Sequence, residues 1–248
     1  MAIHPWAEAG FGRAAAEYER GRPGYPEAAL AFLVERLALG PGRMVVDLAA
    51  GTGKLARLLV ASGACVIAVE PVRAMRELIE PGAIEVLAGT AEAVPLPTAS
   101  ADAVTVAQGL HWFRMDEALA EIHRILRPGG ALAVIRNVRD RADPVQRRLE
   151  EVLARHRGHP SLESGLDAAT ALVESGLFAR PKAAAFPHAH ELDAEDLVAQ
   201  LLSETSIAVL DEDARAAAAD DVRRLAATLP PRFPLRYRTE VHVAERLS

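Results

Sequence analysis

Met44-Val45-Val46-Asp47-Leu48-Ala49-Ala50-Gly51-Thr52-Gly53 decides the fold of this chain. Its first five residues are a compact β-branched run, and the glycines end that run in a tight turn. Leu55, Leu58 and Leu59 follow at helical spacing until Ser62-Gly63 stops them. A strand, a glycine turn and a helix in that order form the opening of a βαβ unit. In a sheet built from such units, ligands bind outside the carboxyl ends of the strands. Glycines at that place let a ligand come close to the backbone.

Asp47 narrows the ligand. A dinucleotide sets its pyrophosphate on the helix that follows such a turn, and a carboxylate at the strand end would repel it. A ligand carrying an ammonium and a sulfonium would gain from the same charge. Glu70 stands 17 residues beyond Gly53, at the end of the next apolar run, Val66-Ile67-Ala68-Val69. An acid there can accept hydrogen bonds from both ribose hydroxyls of a nucleoside. The plainer alternatives are a turn glycine beside a capping aspartate and a surface glutamate, although Glu is a poor N-cap residue.

Outward from this segment the rhythm repeats. Pro71 suits the first position of a helix. Ile84 to Leu87 and Ala103 to Ala107 read as the third and fourth strands, and Ala131 to Ile135 as the fifth. Between the last two lies the clearest helix. Asp116 and Glu117 open it, Leu119, Ile122, Ile125 and Leu126 stripe one face, and Arg124 and Arg127 crowd its end before Pro128-Gly129-Gly130. Strands of this kind separated by helices predict an α/β, doubly wound, mostly parallel sheet. Later, Asp143 is placed to cap a helix, Ala183 to Leu192 has weak strand character, and Asp193 to Leu229 is helical. Leu235 to Val243 reads as a last strand with Tyr237, Thr239, Val241 and Val243 on one face, which brings the strands to seven. The expected organisation is one domain over 1–248. It comprises an N-terminal helical lid at 1–40, a cofactor-binding core at 41–137, and cap helices with the last strands at 138–248.

Composition sets limits on function. Alanine supplies 50 of 248 residues, yet Leu, Val, Ile and Phe still make about a quarter of the chain, enough for a core. The net charge of −6 argues against a nucleic-acid partner, whose binders carry basic patches. The longest uncharged stretch, Leu58 to Val69, has 12 residues, whereas a membrane span needs about 20. The segment from Met1 to Arg13 has no apolar core of the secretory type. A cytoplasmic protein with no membrane association is therefore expected. The single cysteine, Cys65, lies in an apolar run and is expected to be an inert buried thiol.

Taken together, Val45 to Gly53 with Glu70-Pro71 resembles the cofactor segment of class I S-adenosylmethionine-dependent methyltransferases. Gly89 to Pro97, Gln108 to Phe113 and Arg124 to Gly130 resemble the later segments of that family. The stretches Phe11 to Tyr18 and Arg22 to Pro26 are similar to the lid of its small-molecule, trans-aconitate methyltransferase-like branch. The resemblance implies a Rossmann-like methyltransferase fold with helical cap additions. It also implies S-adenosyl-L-methionine as cofactor and a small-molecule acceptor, and leaves the oligomeric state open. By position, Asp47, Ala49, Gly51 and Gly53 would hold the methionine part and Glu70 the ribose. Pro71, Met75, Ala91 and Glu92 would border the adenine. Gln108 and Gly109 would touch the methionyl side, and Tyr18 and Arg22 would close over the cofactor. Thr90 departs from the family pattern, where many relatives have an aspartate.

A sulfonium is already an activated electrophile, so a general base is needed only if the acceptor must lose a proton. His111, on the loop after the fourth strand, is the candidate catalytic residue; shaping the pocket is its alternative role. Asn137, Arg139 and Asp140, with the helices between Asp193 and Leu229, could line the acceptor site. The pairs His188/His190 and His156/His159 lack companion ligands at metal spacing, so no metal is expected and exposed structural roles are. A short-chain reductase would need a lysine four residues after a tyrosine, and Tyr18, Tyr25 and Tyr237 are followed there by Arg22, Ala29 and Val241. A base methyltransferase would favour an Asn/Asp-Pro-Pro-aromatic loop, which Gln108-Gly109-Leu110-His111 is not. A fold that keeps the cofactor for binding, or for a non-methyl reaction such as cyclisation, stays open as the second reading.

Overall fold

The β-branched runs all form strands, and together with the alanine- and histidine-containing stretch Lys182–Leu192 they assemble in the order β3-β2-β1-β4-β5-β7-β6. The computed structural model describes residues 10–80, 82–157 and 168–248, so the segment before residue 10 and His159 lie outside the described residues. After a helical turn at residues 10–13 come α1 (Ala15–Gly21) and α2 (Glu27–Arg36). The core then runs β1 (Met44–Leu48), α3 (Lys54–Leu59), β2 (Cys65–Val69), α4 (Arg73–Arg76), β3 (Ile84–Leu87), β4 (Ala101–Ala107), α5 (Met115–Ile125) and β5 (Leu126–Arg139). The remainder is α6 (Pro144–His156), α7 (Ala168–Glu174), β6 (Lys182–Leu192), α8 (Ala194–Leu202), α9 (Thr205–Ala208), α10 (Glu212–Ala226) and β7 (Phe233–Glu245).

β1 to β5 pair in parallel, and β7 inserts antiparallel between β5 and β6. The order reverses at β1, where β2 lies on one side and β4 on the other. A crevice opens at such a reversal because the two chain crossings leave on opposite faces. Both faces are covered. Ala118, Leu119, Ile122 and Ile125 of α5 pack with Leu172 of α7 on one face. Leu33 of α2 and Leu55 and Leu59 of α3 pack on the other. A separate apolar cluster holds the cap, with Leu149 of α6, Leu197 and Leu201 of α8 and Val222 of α10 against Leu235 and Tyr237 of β7.

Four local expectations need correction. Helix α4 begins at Arg73 rather than at Pro71, because the Glu70 carboxylate accepts the Val72 N–H at 2.8 Å and holds that turn open. α5 ends at Ile125: Leu126 already pairs with Ala101, Pro128 to Gly130 forms a bulge, and Arg127 turns to Asp102 at 3.0 Å. The stretch 193–229 divides into three helices, with Asp193 and Asp211 capping the first and last. Cys65 is exposed, because it opens β2 at the rim of the sheet ahead of the four buried residues that follow. Asp143 caps α6 as expected, accepting from the N–H of Val145 at 2.7 Å and more loosely from Gln146. The face of Tyr237, Thr239, Val241 and Val243 is buried, also as expected.

The lid and the cap touch closely at one point. A β-carbon on Gly21, the last residue of α1, would fall 2.1 Å from the Gln200 amide nitrogen of α8. Only glycine lets the two helices meet there.

Candidate functional site

At the reversal point the ends of β1, β2 and β4 frame a cleft. Ala49 and Gly51 line it from the first turn, and Glu70, Pro71 and Met75 from the second. Ala91 and Glu92 border it beyond β3, Gln108 and Gly109 beyond β4, and Tyr18 covers it from α1. Ala49 and Gln108, both non-glycine, have left-handed backbones with φ of 53° and 61°.

Glu70 joins the first two segments physically. Its Oε2 accepts the Gly51 N–H at 2.8 Å while Oε1 accepts that of Val72. Burial raises the carboxyl pKa, and the two N–H groups, with Arg76, pull it back. A carboxylate has about four lone-pair sites, so two are left for a ligand diol.

Three expected residues stand elsewhere. Asp47 is fully buried beneath the turn rather than on the cleft wall. Its Oδ1 accepts the Thr105 hydroxyl at 2.7 Å, and its Oδ2 has no partner among the described residues. Burial raises its pKa to about 7; Thr105 and the Ala56 N–H oppose the rise, and the Glu70 charge adds to it. Gly53 caps α3 with φ 82°, and a β-carbon there would press on Ile79 at 3.1 Å, so its work is packing. Arg22 points away from the cleft into a second, larger cavity.

That cavity, about 980 Å³, lies beneath the cap. It shares Tyr18, Ala49, Ala107 and Gln108 with the cleft, so the two spaces adjoin. His111, Asn137 and Arg139 line it. Burial and the Arg22 charge lower the His111 pKa to about 4, with Glu204 opposing. The imidazole is therefore neutral at ordinary pH.

Sequence reasoning missed several lining groups. Trp112 and Phe113 line the cleft, and Phe11 meets Trp112 edge-on at 5.6 Å. Glu204, Gln200 and Tyr237 line the cavity, with the Gln200 amide donating to the Tyr237 hydroxyl. The helices of the 193–229 stretch are expected to border this space, but no spacing singles out these particular side chains, which reach it through tertiary folding. The Thr90 hydroxyl, also on the cleft residue set, is buried without a partner among the described residues.

His188 and His190 are half-buried on β6, which corrects the exposed role expected of them. Burial lowers both of their pKa values. His156 pairs with Asp221 at 2.8 Å. Among the described residues no group of three or more His, Cys, Asp or Glu could hold a metal. No helix among them is long and apolar enough to cross a membrane.

A crevice at the sheet reversal, walled by a glycine turn and by the acid that follows the second strand, is the ligand-binding position of a Rossmann-like α/β protein. Comparison with known proteins places it further. Residues 46–134 match the methyltransferase domain family. An uncharacterised methyltransferase of Mycobacterium tuberculosis is 44% identical over 147 residues, covering 58% of this chain and 59% of that protein. A methyltransferase-like protein of Schizosaccharomyces pombe, also uncharacterised, is 31% identical over 220 residues, covering 87% and 85%. Among solved structures, a proposed type II methyltransferase from Anaeromyxobacter dehalogenans superposes with a TM-score of 0.63 at 26% identity, over 90% of this chain and 97% of that one. The chain belongs to the class I S-adenosylmethionine-dependent methyltransferases. The match spans about three fifths of the length of the mycobacterial relative.

Proposed function

We propose that this protein moves a methyl group from S-adenosyl-L-methionine to a small-molecule acceptor held in the cavity beneath the cap. The observation that carries the reading is the meeting of cleft and cavity across Ala49, Ala107 and Gln108 under Tyr18. A cofactor in one and an acceptor in the other would face each other through that opening.

The residues fit this cofactor. Glu70 lines the crevice and Asp47 lies buried beneath its glycine turn, so the charge on this side suits a ribose diol and a cation and disfavours a pyrophosphate. Burial disfavours the charged form of Asp47, an effect that the Thr105 hydroxyl and the Ala56 N–H oppose, and a cationic ligand nearby would favour that form further. When bound, the cofactor supplies an electrophilic methyl group on a positively charged sulfur. The chain's own part is alignment. Tyr18 and Trp112 exclude water, Glu70 fixes the ribose, and the cavity walls aim the acceptor. Positioning of this kind can supply on the order of 7–11 kcal/mol of a barrier.

In this reading His111 orients the acceptor by accepting a hydrogen bond from it, and takes its proton only where the acceptor gives one up readily. Its low pKa keeps it unprotonated and able to accept a hydrogen bond at neutral pH, and makes it a weak base. An acceptor that reacts with little proton transfer suits it better than an alcohol.

Titrating the purified protein with S-adenosylhomocysteine and with NAD in a calorimeter tests the cofactor. Binding of the first alone is expected; binding of NAD alone would overturn the reading. Methyl transfer is tested by incubation with methyl-labelled cofactor and fractionated small metabolites. Label should move to a small molecule as S-adenosylhomocysteine accumulates, and a bound cofactor that never turns over would favour the binding or cyclisation reading.

A further inference from the structure

The cofactor cleft is built by the sheet and the lid, yet its covering residue is tied to the cap. Tyr18 lines both spaces, and the Arg22 guanidinium lies over its ring at 5.5 Å from the centroid. Arg22 in turn donates from Nε to the Ser203 hydroxyl at 2.8 Å and pairs through Nη2 with Glu204 at 3.1 Å. Glu204 also pairs with Arg139 at the end of β5, and Arg139 with Glu150 of α6 at 3.0 Å. One half-hidden carboxylate thus binds the lid, the sheet and the cap. Arg22 ends α1, Arg139 ends β5, and Glu204 caps α9.

We infer that Glu204 is a positioning residue for the cofactor, acting through Arg22 to hold Tyr18 over the cleft. The inference rests on the reading of the cleft as the cofactor site. Two further observations support it. The Gly21–Gln200 contact leaves no slack between α1 and α8, so a cap that holds Glu204 also fixes where Arg22 can stand. The side chains of Arg22 and Glu204 are only 19% and 13% exposed, so water screens their attraction weakly. Glu204 does not touch the cleft itself, and its effect should be relayed rather than direct.

The consequence is that the cap, remote from the cleft in sequence, sets how fast the cofactor leaves. The test is stopped-flow dissociation of S-adenosylhomocysteine from the full chain, followed by the fluorescence of Trp112 on the cleft wall. Glu204→Gln is expected to speed dissociation about tenfold with little change in association, and Glu204→Asp to stay within about threefold of the parent. Arg22→Met should match Glu204→Gln, and the double variant should be no faster than either single one, because one relay is broken in each. Effects that multiply in the double variant, or dissociation unchanged in folded Glu204→Gln, would overturn the inference. If Glu204→Gln fails to fold, Arg22→Met and Tyr18→Leu replace it. Each should then speed dissociation about tenfold, and their double should not exceed the singles. A parent protein that binds no S-adenosylhomocysteine would instead defeat the reading of the cleft.

Discussion

Glu70 concentrates more of the site's chemistry than any other side chain. It accepts two backbone N–H groups from two different turns and keeps lone pairs toward the cleft. Glu70→Ala should weaken S-adenosylhomocysteine binding by roughly 10- to 100-fold in calorimetry, the worth of a hydrogen-bonded charged group. Affinity unchanged by that substitution would remove Glu70 from ribose binding. His111 predicts a different pattern. His111→Ala should lower turnover at least tenfold while cofactor affinity stays within about twofold. Its acid limb is also specified: the neutral imidazole exists above about pH 4, so turnover should hold as pH falls through 6 and drop only near 4. A limb near 6.5 would mean that His111 is exposed and uncharged by Arg22. That Glu70 stands on the cleft was legible in the sequence, because an acid closing the second strand falls beside the glycine turn, whereas the burial of Asp47 beneath that turn was not. Nor was the place of Glu204, since it lies 182 positions from Arg22 and nothing local marks it.

At the scale of elements, the strands were legible because short β-branched runs bounded by glycine or proline have one favourable fate. Helix limits were less so. α4 starts late because the Glu70 carboxylate captures the N–H of Val72, the residue before the helix, a local bond made possible by the burial of that acid at the site. The break between α8 and α9 falls at Ser203-Glu204, polar residues whose partners are on the lid. α6 shows the legible case: Asp143 before Pro144 marks a helix start, and its side chain caps the helix and accepts the Arg236 N–H of β7 as well. Asp143→Ala should therefore destabilise the protein by about 1–2 kcal/mol in thermal or urea unfolding, toward the upper end of the range for caps. A loss below about 0.5 kcal/mol would show that the β7 contact carries no weight. Cofactor binding should be nearly unaffected, because α6 borders the acceptor cavity alone.

For the molecule as a whole, Asp47 links stability to pH. Its carboxyl titrates near 7 when folded and near 3.8 when not. The folded form therefore binds the extra proton between those values, and the stabilisation it brings is full below about pH 4 and lost as pH rises through 7. Asp47→Asn should remove that slope and melt higher than the parent at pH 8, with a ceiling of about 4 kcal/mol set by the two pKa values. Cofactor affinity should fall in the same variant. If the parent's melting temperature is flat from pH 5 to 8, Asp47 is better compensated than its unpartnered oxygen indicates. Under the proposed function, a cationic cofactor that favoured the charged form of Asp47 would couple folding to cofactor binding.

Ala49 and Gln108 hold their backbones in a conformation that costs a side-chain-bearing residue about 1 kcal/mol each, and both stand where cleft and cavity join. Anyone improving the heat tolerance of this catalyst would be drawn to relax those two joints with glycine. If the proposed reaction runs across that opening, the hardier protein so obtained should be the slower one, since the same stiffness would fix the aperture between the two spaces.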